Sequence, residues 1–150
     1  MEEVSLLEKK KENIREENEK KKEYLWGYQS EKRKIQRLEE ELSELRLDKM
    51  CPSVIQDGMP HASGGGDLSG YAARIDALER KILKARYKRI QKFKEITDRI
   101  EHLQDENEKD VLLYRYIKGM KWEDIAVKMS IGYRHVLRIH GKALENFNMS

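Results

Sequence analysis

The sequence predicts an all-α protein: a long antiparallel helical hairpin (a coiled-coil arm) followed by a C-terminal three-helix helix-turn-helix module. Three observations predict it. Apolar residues recur at three- and four-residue spacing along two long stretches that hold no proline. Both prolines, Pro52 and Pro60, and the run Gly64-Gly65-Gly66 fall between those stretches. Charged residues make up 39% of the chain against 38% hydrophobic, too little apolar material for a large core but enough for narrow helical stripes. The predicted organisation is a first long helix over 1–48, a flexible connector over 49–70, a second long helix over 71–104 and the three-helix module over 105–150.

The first stretch holds no proline and one glycine, and reads as a single helix. Leu7, Ile14, Tyr28, Ile35 and Leu42 recur every seven residues, with Tyr24, Leu38 and Leu45 interleaved. That spacing is a coiled-coil seam, strongest from Tyr24 to Leu45. Between Lys9 and Glu23 the seam is mostly polar, so this part is expected to fray or to be ordered by a partner. Trp26 lies off the seam beside Leu25 and reads as a packing residue. In the connector, Gly64-Gly65-Gly66 is a poor phosphate cradle, because Asp67 follows and no Lys-Ser/Thr pair does.

The second stripe runs Ile75, Leu78, Ile82, Ala85, Ile90, Phe93, Ile96, Ile100 and Leu103, with Asp67 or Ser69 as the expected helix cap. Counting back from the connector sets Leu38 opposite about Leu83 and Tyr28 opposite about Phe93. The acidic run Glu39-Glu40-Glu41 with Glu44 is then expected near Arg80 and Lys81. The same helix is basic in its middle. Its cations would pair with the acidic first helix, or Lys84, Lys88 and Lys92 would touch phosphates without reading sequence.

From Asp105 the pattern shortens. Asp105 or Asn107 can cap a helix carrying Leu112, Leu113, Tyr116 and Ile117, with Glu108 or Asp110 answering the cap, and Gly119 stops it. A second helix places Trp122, Ile125, Ala126 and Met129 on one face. Ser130-Ile131-Gly132 is a tight turn, and a third helix from Tyr133 would bury Val136, Ile139, Ala143, Leu144 and Phe147. Trp122 is expected to anchor the core with Ile125, Val136 and Leu144. The face opposite that stripe carries Arg134, Arg138 and Lys142, with Tyr133 at the helix start. Glu123 and Asp124 in the second helix suit its dipole but would repel phosphate, so the third helix is the one expected to meet DNA.

The run LLYRYIKGMKWEDIAVKM…VLRIHGKALENF resembles the region-4-like module of sigma factors, as found in phage-encoded transcription regulators of the RinA and ArpU type. Tyr24-Leu25-Trp26-Gly27-Tyr28, Gly64-Gly65-Gly66 and Gly119 through Leu144 also match, in order, a phage family of unassigned function with a coiled-coil arm. The resemblance covers the chain from about Tyr24 to its end. Lys121 stands where that pattern has a capping Ser or Thr, and Ser130-Ile131-Gly132 stands where it has Gly-x-Ser. It implies a phage setting and a role in transcription.

Other classes are disfavoured. Cys51 alone gives no disulfide framework and fits a reducing compartment. No apolar run approaches the ~20 residues that span a bilayer, so no membrane partner is expected. The N-terminus lacks a signal peptide's apolar core. His61, His102, His135 and His140 form no metal-ligand pattern, and His135 and His140 point about 140° apart on a helix. No catalytic constellation is present, so neither enzyme activity nor a cofactor is expected. The expectation is a sequence-specific DNA-binding transcriptional regulator in the cytoplasm of a bacterial host. Its expected partners are double-stranded DNA, RNA polymerase or another phage protein, and a second copy as a homodimer. A small-terminase-like DNA-packaging protein and a coiled-coil adaptor that binds no DNA are the competing readings.

Overall fold

The computed structural model describes residues 2–50 and 65–150, and these form six α-helices and one π-helical turn with no strand among the described residues. The helices are α1 (Glu2–Leu25), α2 (Gly27–Met50), α3 (Gly65–Glu101), α4 (Glu106–Leu112), α5 (Trp122–Met129) and α6 (Tyr133–Asn146), with the π turn at Leu113–Ile117. The protein is all-α. The expected connector falls largely on residues 51–64, which lie outside the described ones.

Two helix bounds differ from expectation. The first long helix is interrupted at Trp26 rather than running unbroken. Trp26 N–H still donates to Lys22 O and Ser30 N–H to Trp26 O, each at 2.9 Å, so the ladder resumes on both sides. The break sits beside Gly27, the weakest helix former of the segment. A Cβ there would make only an ordinary contact, 3.6 Å from Lys92 Cδ. At the other bound, α3 begins at Gly65, so Asp67 and Ser69 lie inside the helix instead of capping it.

Two compact units are present, residues 31–89 and residues 1–30 with 90–150. In Glu31–Arg89, α2 and α3 pair antiparallel: Glu39 meets Arg86 and, further along α2, Arg46 meets Glu79, each at 2.5 Å. Within the expected register, the acidic run finds Arg86 and not Arg80 or Lys81: Glu39 pairs diagonally along α3 with Arg86, while Arg80 and Lys81 are exposed. The buried seam is Ile35, Leu42, Leu78, Ile82 and Ala85. Leu83, expected opposite Leu38, is 69% exposed. The true seam of α3 keeps three- and four-residue steps through Leu78, Ile82, Ala85, Arg89, Lys92 and Ile96. Ile90 and Phe93 therefore stand one step off it and are exposed.

In the larger unit, Tyr28 does pack on Phe93 as the register predicts, with ring centroids 5.6 Å apart. Two apolar clusters form the core. One joins Leu25, Ile96, Ile100 and Leu103 to Leu112, Tyr116, Ala143, Leu144 and Phe147. The other is Val111, Ile125, Ala126 and Val136, with Trp122, Met129 and Ile139 partly buried against it. Leu144 belongs to the first cluster, not to the one Trp122 anchors. α6 packs on both α4 and α5, and α1 also touches it. Leu7 and Ile14, placed on the expected seam, are instead exposed on α1.

Candidate nucleic-acid interface

The face in question is held from behind by a local chain of caps and turns. Asp105 adopts extended backbone and its carboxylate accepts the Glu108 N–H at 3.1 Å, closing the start of α4. Glu108 does not return the bond. It is buried, and its carboxylate accepts instead from Asn146 Nδ2 at 3.0 Å, tying α4 to the end of α6. Lys118 N–H reaches five residues back to Leu113 O at 3.0 Å, which makes the π turn. Gly119 then takes φ +68°, left-handed backbone that only glycine adopts cheaply. Gln29 Nε2 donates to Ile117 O at 2.7 Å and satisfies a carbonyl the helix end leaves free.

The α5–α6 turn is built without a side-chain cap at either helix start. Lys121 precedes α5 in extended backbone with no side-chain cap. Ser130 takes the left-handed conformation at φ 56°, ψ 40°, while Gly132 is extended and starts α6, again with no side-chain cap. The residue needing positive φ is thus the serine, and the glycine of this turn is not used for its freedom.

α6 turns Val136, His140, Ala143 and Leu144 inward. Tyr133, Arg134, Arg138 and Lys142 are all exposed, on the side the spacing predicts. Leu137 and Gly141 complete that face, and open space surrounds the position a Gly141 Cβ would take. Glu145, also exposed, limits the basic surface toward the helix end. Among the described residues, the side chains of Arg134, Arg138 and Lys142 have no ion-pair or hydrogen-bond partner. Some cations on α3 have partners. Lys88 lies 3.4 Å from Glu31, Arg86 is paired with Glu39, and Lys92 sits 5.3 Å over the Tyr24 ring. Lys84 is exposed and has no such partner among the described residues.

Behind α6 lies a polar-aromatic stack that sequence reading missed. The Arg115 guanidinium is 4.4 Å from the Trp122 ring centre and 5.1 Å from that of Trp26, and it donates to Met120 O at 2.9 Å. Trp26 meets Tyr116 edge-on at 4.9 Å. Tyr116 Oη and His140 Nε2 share a buried hydrogen bond of 2.7 Å, and Trp122 stands edge-on to the imidazole at 4.5 Å. Burial, with the charges of Lys22 and Arg115 adding to it, pushes His140 down to about 4, so the ring is neutral at physiological pH. Burial likewise raises the Tyr116 hydroxyl. The signal for this stack was present in Trp26, Arg115, Trp122 and His140, but they are too far apart in sequence for a spacing rule to join them.

Chemically the stack positions α6 and does not expose a reactive group. No cluster of three or more His, Cys, Asp or Glu side chains able to hold a metal occurs among the described residues. No described helix is long and apolar enough to cross a membrane. No protein-family model matches this chain, and no curated protein or solved structure is significantly similar to it.

Proposed function

We propose that the protein binds double-stranded DNA through α6 and regulates transcription in a phage or an integrated element. α5 and α6 act as the helix-turn-helix, with α6 laid in the major groove. The observation that carries the reading is the set of unpaired cations on an exposed helix whose opposite face is core: Arg134, Arg138 and Lys142, with Tyr133 at the start. Arg134 and Arg138 read base edges, the bidentate pairing of guanidinium with guanine being the commonest specific contact. Lys142 and Tyr133 touch the phosphate backbone and set the register. Lys84, Lys88 and Lys92 add at most affinity without discrimination, and two of them already have a partner within the chain. The phage setting and the transcriptional role rest on the resemblance of Leu112 through Phe147 to sigma-like modules.

The test is binding to genomic fragments of the host element, then to the selected site and a scrambled duplex at several salt concentrations. Arg134→Ala or Arg138→Ala should weaken the selected site by about 1–3 kcal/mol and relax its sequence preference. Lys84→Ala with Lys88→Ala should shift both duplexes alike and flatten the salt dependence. Loss of discrimination from the α3 pair, with the α6 variants unaffected, would assign reading to α3 and leave α6 as a protein-docking helix.

A further inference from the structure

Within Glu31–Arg89, α2 and α3 leave an open groove along one side of their seam. Leu42 and Ile82 form its floor, Leu47 and Leu83 its apolar walls, and Ser43 lies between them. Leu47 is 56% and Leu83 69% exposed. Two helices share only one seam, so leucines beside it stay in water unless further helices cover them. The groove ends are charged. Glu39 and Arg86 flank one end, Arg46 and Glu79 the other, so each end offers one acid and one base.

The geometry points to a second copy of this chain as the occupant, docked face to face on the groove so that four helices enclose the leucines. Charge selects both partner and orientation. A two-fold axis parallel to the helices lays α2 on the partner's α3 at the same level. Glu39 then faces the partner's Arg86, and Arg46 faces the partner's Glu79. A two-fold axis across the helices would instead set the basic α3 against its own copy. Every helix in the favoured arrangement has antiparallel neighbours, the up-and-down order of a four-helix bundle. Dimerisation here needs no DNA and stands apart from the reading of α6.

The experiment is sedimentation equilibrium of the full chain, without DNA, over a range of concentrations. A concentration-dependent dimer is expected. Leu47→Lys and Leu83→Lys replace exposed side chains, so helicity by circular dichroism should hold while the dimer weakens roughly tenfold or more. Arg46→Glu alone should weaken it as well. Arg46→Glu combined with Glu79→Arg restores both the pair within each chain and the pairs across the interface, so the dimer should return. A monomer at every concentration overturns the proposal, as does a dimer indifferent to both leucine substitutions. Loss of the dimer in the double exchange, with helicity intact, overturns the orientation.

Discussion

The helix pair of Glu31–Arg89 and the short helices after Asp105 use the same residue types and hold together differently. In the pair, a single seam of Ile35, Leu42, Leu78, Ile82 and Ala85 is buried, and the ion pairs beside it are half exposed. Such surface pairs contribute about 0–1 kcal/mol each and set register more than stability. After Asp105, α6 packs on α4 and α5, and with Leu25, Ile96, Ile100 and Leu103 these helices enclose side chains from all round, Tyr116 and Phe147 being about 1% exposed. The cations divide in the same way. On α3 Arg86 and Lys88 are matched by carboxylates of α2, whereas on α6 the buried stripe takes one face and leaves Arg134, Arg138 and Lys142 unmatched. Several packed elements make a core and leave one face of α6 to solvent; two make a seam with a few half-exposed ion pairs beside it.

Truncation in the two cores is the strongest challenge to that contrast. Phe147→Ala should cost about 3–5 kcal/mol, because the ring is enclosed and the cavity cannot collapse. Leu42→Ala should cost less, about 2–3 kcal/mol, since the open side of the seam can relax or admit water. Urea unfolding followed by circular dichroism reads both, and equal losses would mean that the pair is packed as tightly as the C-terminal helices.

Acid should act on the C-terminal core before it acts on the pair. His140 titrates near 4 in the folded chain against an ordinary 6.5, so as pH falls the unfolded chain takes up the proton first. Its contribution is complete above about 6.5 and is lost on the way down to about 4, on the order of 1–3 kcal/mol. His140→Gln should flatten this part of the stability profile. Parallel profiles for the parent and the variant would show that the imidazole is not held neutral by its surroundings.

Three backbone substitutions have the smallest effects and opposite signs. Gly141→Ala adds a methyl to an exposed helix position with nothing within 4 Å, and should stabilise by about 0.5–1 kcal/mol. Ser130→Gly relieves a left-handed non-glycine residue and should also stabilise, by up to about 1 kcal/mol. Gly119→Ala should destabilise by about 1 kcal/mol or more, because φ is +68° there. Thermal unfolding orders the three. If α6 lies against DNA, Gly141→Ala should raise the melting temperature and lower affinity together, whereas Ser130→Gly should leave affinity unchanged.

The sequence by itself determined the helical class, the helices after Asp105 to within a residue or two, the stop at Gly119 and the exposed side of α6. These follow from local rules: a 3.6-residue period, a capping Asp105, a glycine at positive φ. It also placed Tyr28 against Phe93. Only the tertiary structure decided the rest. Ile90 and Phe93 read as seam residues because they are apolar, yet the packed face passes through Arg89 and Lys92, whose long stems cover neighbours while their charges stay near solvent. The π turn adds a residue to the first helix of the C-terminal stretch without a sequence mark. His140 looked like one of four scattered histidines. It became a buried partner of Tyr116 because the π turn and α5 close over that face of α6, and burial is a property of the assembled elements, not of any one of them.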